Sequence, residues 1–535
     1  MLTFRNLIPA LTAACWLAAC GGGGSDPVGG SDPDNGGSGG TPTAVGDPDT
    51  ETWTALQGYM DVIRTSSKFD ECRTDTPQAE PWKCVRGPRT GTALGHAVHD
   101  WLAAQFRAIP GITAVQIQSF DLPIFTPLRY GLEVDFGSGL ENVDAFPWYY
   151  RGLTTLQGVS GPLIDVGDGG LIAQLTTGDL SGKIAVMDIS LFLNAEDGQS
   201  ANQIAQLRAK GAVGLIIGTD APANDIAVQN YDIADGLRWL PTVIVGPEDA
   251  ARIRAVEGGT AHVTVAGTYR GGDDSVPQSL VGQYGQSRNT VAVLPGADPD
   301  NIIVVGTPLN AWLTAAGERG PGVGMIVYLA RYFAERARED GPLPYTIWFV
   351  GTGAHEIYGF GINRFLSCFD PERIVAYVHL GSGLVYKGYT EPLLQDGNPT
   401  PTGGMSQTRT LAVSENSILQ SISGRAFSDL ILQPYFALPP SLFVPGENRG
   451  PYAQGIPTIG MNGTNAYFHT LRDDESQIHR PALGPMALAF RETVQGLLDA
   501  DADAVRSANS IAAVLGAALQ DEALYWECAG ALQQP

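Results

Sequence analysis

Charged side chains are few in this sequence. Asp, Glu, Lys and Arg make up 16% of its 535 residues, against roughly 25% in an average soluble chain. Basic residues are the scarcest of them: 32 Lys and Arg stand against 56 Asp and Glu, a formal net charge of −24. That deficit argues against a nucleic-acid partner, which needs a basic face, and against electrostatic docking on anionic lipid. No internal apolar run approaches the ~20 residues that cross a bilayer. None of the six cysteines has CxxC spacing, which removes zinc-ribbon and dithiol redox readings. There is no G-x-S-x-G elbow, no P-loop and no H-E-x-x-H. The glycine run Val166-Gly167-Asp168-Gly169-Gly170 lacks the third glycine of a dinucleotide fingerprint.

What is present begins with a secretory pattern. Arg5 precedes a mostly apolar run from residue 7 to 17 that is too short to span and contains Pro9. It ends in Leu17-Ala18-Ala19-Cys20, which resembles a bacterial lipobox. Residues 21–50 hold eleven Gly, four Pro, five acids and no base; such a segment buries no core and reaches about 30 Å as a flexible tether. The expectation is a signal peptide at 1–19, lipid on Cys20 and a linker over 20–50. The chain is then exported and lipid-anchored to the bacterial cell envelope, at the outer membrane if the host has two membranes, and meets the membrane only through the anchor. Cys15 leaves with the signal, so Cys72, Cys84, Cys368 and Cys528 remain, an even number in an oxidising compartment. Of three possible pairings, Cys72–Cys84 and Cys368–Cys528 are favoured.

Globular composition starts at Thr52. Residues 51–150 are expected to open a domain that resumes at 275–500, with 501–535 as a tail. Over residues 89–107, Leu94, Val98, Leu102 and Phe106 share one side of a helix; His96 and His99 on it lack a carboxylate cluster, so surface or capping roles are expected rather than metal. Residues 153–270 form a unit of their own, with short apolar strands at 163–166, 183–187, 213–217 and 241–245 and helices at 201–210 and 248–256. GDLSGKIAVMD, AQLRAKGAVGLIIGTD and LPTVIVGPEDAARI, in that order, resemble a protease-associated domain, which implies an inserted lid or partner-binding module without catalytic groups. Beyond residue 289, strands at 302–305, 345–350 and 374–380 alternate with helices at 324–338 and 481–498, the pattern of an α/β domain with a largely parallel sheet. Functional groups of such sheets gather past the strand C-termini.

At those strand ends, GPGVGMIVYLAR, IWFVGTGAHEIYGFG and GIPTIGMNG…FHT resemble the zinc aminopeptidase and glutamate carboxypeptidase family; with the insert, the resemblance covers roughly residues 85–500. It implies an α/β, aminopeptidase-like three-layer domain with a mostly parallel central sheet plus the inserted protease-associated α/β domain. It also implies two zinc ions on five protein ligands, about 3.5–4 Å apart, activating a water, with a glutamate as general base. Carried over position by position, the pattern is damaged. The family's H-x-D falls on Pro308-Leu309-Asn310, the bridging Asp on Glu318 and its following Asn on Arg319. The Glu-Glu pair falls on His355-Glu356, the next Asp on Gly381 and the last His on His469. Pro308, Asn310 and Gly381 are therefore lost family positions.

Glu318, Glu356 and His469 survive, three ligands being the usual protein count for a catalytic zinc; glutaminyl cyclases on this fold use the same subset. His355, ordinarily near pKa 6.5, would then be the base. Arg319 opposes a dication unless it pairs with Glu318. His379, on the same strand face as Gly381, reads as a packed strand histidine rather than a substitute ligand. Two functions follow. The first is a non-catalytic or altered relative, without cofactor, that binds a peptide or protein in the former cleft, as transferrin receptors keep this fold and act by binding. The second is a single-zinc, metallopeptidase-like hydrolase, aminopeptidase or glutaminyl-cyclase-like. A separation above ~7 Å between the Glu356 carboxylate and the His469 ring rules out the second.

Overall fold

The computed structural model describes residues 46–65, 87–122, 124–148, 152–168, 178–189, 199–228, 230, 240–270, 281–282, 285–357, 359–390, 399–430, 437–438 and 446–507. The expected signal, Cys20, the tether before residue 46, and Cys72, Cys84 and Cys528 lie outside that set. The described residues all belong to one compact unit, Val45–Pro535.

The tether expected to run to residue 50 ends sooner, because helix α1 (Pro48–Thr65) begins there. Asp47 Oδ2 accepts from the Thr50 backbone N–H at 3.1 Å, and Pro48 brings a φ suited to a first helical turn. Helix α2 (Ala93–Arg107) is capped by Thr92, whose Oγ1 accepts from the Gly95 N–H at 3.0 Å. There follow β1 (Ala114–Leu122), β2 (Ile124–Asp135), β3 (Leu140–Val143), β4 (Phe146–Pro147), β5 (Val159–Asp168), β6 (Ile184–Ile189), α3 (Gln199–Ala209), β7 (Gly214–Thr219), β8 (Thr242–Val245), α4 (Pro247–Arg254), β9 (Thr260–Arg270) and β10 (Val281–Gly282). The chain then runs through β11 (Gly285–Leu294), β12 (Gly296–Pro308), α5 (Ala316–Asp340), β13 (Leu343–Thr352), α6 (Phe360–Leu366) and β14 (Ile374–Leu380). It closes with β15 (Lys387–Tyr389), β16 (Pro401–Met405), β17 (Arg409–Val413), α7 (Ser417–Ala426), β18 (Ala437–Leu438), α8 (Arg449–Ala453), β19 (Thr458–Gly463), α9 (Leu483–Leu498) and α10 (Ala502–Ser507).

Among the described residues the strands form a central eight-stranded sheet, ordered β1-β11-β13-β12-β14-β19-β17-β18, and a nine-stranded second sheet, ordered β3-β2-β9-β5-β6-β7-β8-β4 with β10 beside β9; β15 and β16 pair separately. In the central sheet β13, β12, β14 and β19 are parallel, while β1, β11 and β17 pair antiparallel at its flanks. The parallel expectation therefore holds for the middle of a mixed sheet. The second sheet takes in β2–β4 and so reaches further toward the N-terminus than the 153–270 unit. β12 shows why the central sheet is buried on both faces. Ile303 and Val305 enter a core with α1, α2, α5 and α9, and Ile302 and Val304, one step out of phase, enter another with Trp348, Phe365 and Tyr377.

Helix α5 starts at Ala316, not at 324 where the apolar pattern begins. The glycines and Pro321 in its first turns read as loop, yet the glycines are what lets the helix approach its neighbours. A Cβ on Gly322 would lie 2.6 Å from Thr307 Oγ1, and one on Gly324 would overlap the Thr52 carbonyl.

Phe349 is fully buried in β13 beside Phe106, with ring centroids 6.2 Å apart. Phe349→Ala is expected to lower the unfolding free energy by about 3–5 kcal/mol, measured as a lower urea midpoint with an unchanged slope.

Candidate functional site

The parallel strands end side by side at Pro308, Thr352, Leu380 and Gly463, and the candidate metal positions Glu318, Glu356, Gly381 and His469 follow those ends in the chain. Three of the five non-glycine residues with positive φ among the described residues lie in these turns: Ala315 (49°), Ala354 (53°) and His469 (60°). Such backbone costs about 1–3 kcal/mol per residue and persists where the surroundings over-determine it. The Ala315 turn leads into α5 and delivers Glu318 and Arg319. Asp473 holds that helix start. Its Oδ1 accepts from the Gly317 N–H at 3.0 Å, its Oδ2 from the Glu318 N–H at 3.1 Å, and the Tyr386 hydroxyl donates to it at 2.6 Å. Burial, and then the Glu318 charge, push the Asp473 carboxyl up to about 8.

Arg319 is 1% exposed. Its Nε–H donates to the Asn310 carbonyl at 2.9 Å. Its Nη2 lies 2.8 Å from Glu318 Oε1 and also donates to Glu356 Oε1, so one nitrogen bridges both carboxylates. Asn310, expected as a lost family position, serves this arrangement: its Oδ1 accepts from the Ala354 N–H at 3.1 Å and its Nδ2 donates to the Pro88 carbonyl at 2.8 Å. His469 closes the cluster. Its Nε2 is 3.3 Å from Glu318 Oε1 and 3.7 Å from Glu356 Oε2. Its Nδ1 is 2.9 Å from the Val228 carbonyl, and the Val228 N–H donates to the His469 carbonyl at 3.0 Å. Val228 stands between β7 and β8, so the second sheet's connection grips the site.

The electrostatics follow from this packing. Burial alone would raise Glu318, but Arg319 and then His469 outweigh it and hold the carboxyl at about 2. Burial would lower His469, and Glu318 and Glu356 instead raise it to about 9. Arg319 is raised by the same two carboxylates against its own burial. Two carboxylates thus face one guanidinium and one imidazolium.

The donor atoms of Glu318, Glu356 and His469 lie within 4.8 Å of one another, which is close enough to hold one metal ion, and no other such His, Cys, Asp and Glu group occurs among the described residues. The donor set therefore suits zinc, and the 7 Å limit is met. The arrangement does not suit it: the guanidinium already lies between the carboxylates, and a dication there would meet a buried fixed cation.

The surroundings of Gly381 are filled by other groups. A side chain on Gly381 would overlap Asn462 Oδ1 and the Met461 carbonyl. Glu447, unforeseen from the sequence, is buried there. The Thr352 hydroxyl donates to its Oε2 at 2.6 Å, and His355 Nδ1 lies 3.3 Å from its Oε1. Against its burial, His355, His379 and Thr352 lower the Glu447 carboxyl. His379 is fully buried and stacked on Tyr377, and burial lowers it to about 4; it is a packed strand histidine. His96 keeps a surface role, with Nε2 2.8 Å from the Gln286 carbonyl. His99 does not: it is 1% exposed beside Thr290, and burial lowers it to about 3. Cys368 is disulfide-bonded, and its partner lies outside the described residues.

No protein-family model matches the chain. Solved structures do. The zinc aminopeptidase BSAP from Bacillus subtilis aligns with a TM-score of 0.59 at 15% identity, over 84% of this chain and 95% of that one. The aminopeptidase from Aneurinibacillus sp. strain AM-1 gives 0.53 at 18%, over 84% and 95%. A peptidase M28 precursor from Shewanella amazonensis gives 0.56 at 18%, over 87% and 98%. A curated protein of Schizosaccharomyces pombe, named an inactive zinc metalloprotease, is 28% identical over 114 residues, which are 20% of this chain and 14% of that protein's length. The chain has the aminopeptidase-like fold.

A titration follows from His469. Its folded value, about 9, exceeds the ordinary 6.5, so its stabilisation is complete below pH 6.5, declines above that and is gone beyond about 9, a change on the order of 3 kcal/mol. Urea midpoints of the wild type should fall across that window. His469→Gln should lose the part of the fall that extends above pH 8, where Asp473 no longer contributes to it.

Proposed function

We propose that this chain is a non-catalytic relative of the zinc aminopeptidases, exported and tethered through lipid on Cys20, that acts by binding a peptide or protein. The observation that carries the reading is Arg319, whose guanidinium bonds both surviving carboxylates where an enzyme of this type needs a metal. Burial supports it: Glu318, Arg319, Glu356 and His469 are 1–6% exposed, and the second sheet's connection is bonded to His469 from above. A ligand would therefore meet the rim of the former cleft, around His355 and the exposed Leu471, and not the ligand set at its base. The protease-associated resemblance of the second sheet's sequence fits a partner-binding role. The acidic balance of the chain favours partners without a large negative charge of their own.

The competing reading, a single-zinc hydrolase with His355 as base, rests on the spacing of the three donors. The two separate in one experiment on the full chain purified without chelator. The expected result is no stoichiometric zinc. Hydrolysis of aminoacyl anilides and cyclisation of N-terminal glutaminyl peptides should be no faster than in a Glu356→Ala, His469→Ala double variant. About one zinc per chain, lost in the double variant together with activity, would replace this reading with the hydrolase.

A further inference from the structure

Arg319 and the donors around it are held by separate hydrogen bonds. The guanidinium is fixed through Nε to the Asn310 carbonyl. Two of the donors have supports of their own: Glu318 at its backbone N–H through the Asp473 cap on α5, and His469 through its two bonds to Val228. We propose that the Arg319 guanidinium is this chain's built-in replacement for a metal ion, and that Glu318, Glu356 and His469 around it form a complete one-ion site for a divalent cation of the zinc class once the guanidinium is removed. The inference rests on the non-catalytic reading above and goes further: it says what the site lacks, which is space and not ligands.

Three observations carry it. The guanidinium nitrogen touches the same two carboxylate oxygens that an ion between them would touch. The two pairs that His469 makes also lie near ligand-to-ligand spacing: zinc bonds of about 2.0–2.2 Å in a tetrahedron put neighbouring ligand atoms roughly 3.3–3.6 Å apart, and His469 Nε2 is 3.3 Å from Glu318 Oε1 and, slightly wider, 3.7 Å from Glu356 Oε2. Finally, two of the donors keep an atom that the guanidinium does not hold. Glu356 Oε2 is buried and makes no hydrogen bond. His469 commits Nδ1 to a backbone carbonyl, the support that leaves Nε2 as the coordinating nitrogen in metal-bound histidines. Arg319 Nη1 likewise makes no hydrogen bond. The side chain is therefore retained by charge and by Nε and Nη2, and a metal must displace that guanidinium and the proton on His469 Nε2.

The test compares the full chain with Arg319→Ala, Arg319→Lys and the Arg319→Ala, His469→Ala double variant. Each is stripped with chelator, offered zinc, and assayed for metal per chain after gel filtration and for the shift in thermal midpoint. Arg319→Ala is expected to keep about one zinc per chain and to gain several degrees of midpoint with zinc; the other three should keep none. A folded Arg319→Ala that takes no zinc, or that takes as much zinc without His469, overturns the inference. If Arg319→Ala does not fold without metal, zinc added during refolding must restore its near-ultraviolet circular dichroism. Failure to fold with zinc while Arg319→Lys folds overturns the inference as well. Stoichiometric zinc in the unaltered chain, abolished by Glu356→Ala with His469→Ala, is a different result, because it removes the non-catalytic reading on which the inference stands.

Discussion

Two carboxylates whose oxygens approach within a few ångströms in a dry site need a cation between them, since neither can be left ionised there at an acceptable free energy. In this protein the cation is Arg319, and much of the surrounding structure serves its placement. The Ala315 turn and the Asp473 cap set the start of α5, which puts Glu318 and Arg319 side by side. The Ala354 turn, tied to Asn310 Oδ1, brings Glu356 to the other side of the guanidinium. Asn310 also receives the guanidinium Nε–H on its own carbonyl. Removing Arg319 itself would leave the two buried carboxylates without their partner, which costs about 3–5 kcal/mol in comparable pairs. That cost explains why three left-handed non-glycine residues are tolerated so close together.

The charge balance extends to the second sheet. His469 completes the cluster as an imidazolium, with one ring nitrogen toward Glu318 and the other toward the Val228 carbonyl. The same connection is pinned by Trp312, whose indole N–H donates to Asn230 Oδ1 at 2.7 Å, and by Arg472, 3.5 Å from Asp225. Trp312 and Leu313, from the turn after β12, and Ala354 and Ile357, from the turn after β13, join the apolar core of the second sheet. The charged site is therefore part of the joint between the two sheets. The buried ion cluster and the sheet-to-sheet packing are thus one structure, and loosening either exposes the other.

The sequence made the framework legible because its signals are local. Alternating apolar residues mark the strands, and the order of strands and helices marks the α/β sheet whose C-terminal edge holds the site. The donors Glu318, Glu356 and His469 are legible as residue types at matching positions, and the fold brings all three together. What was not legible is what fills space. Arg319 could be suspected of pairing with its neighbour Glu318, but its bond to Glu356 depends on how β13 and α5 end. Asp473, Glu447, Asn462 and Val228 gave no signal, because a buried acid or a backbone carbonyl has no spacing rule. His99 was misread because helical periodicity does not reveal that β11 packs over that side of α2. The start of α5 was misplaced because glycine and proline report local preference, whereas here they answer a demand for close packing.

The far side of the site is filled by protein groups as well. The space beside Gly381 is occupied by Asn462, and His355 sits against Glu447. Thr352, at the end of β13, donates to that same carboxylate. Charged groups on both sides of the site therefore have protein partners, Arg319 against two carboxylates on one side and His355 beside one on the other. Those pairings let the buried charges be balanced within the chain, which ties the electrostatics of the site to its packing.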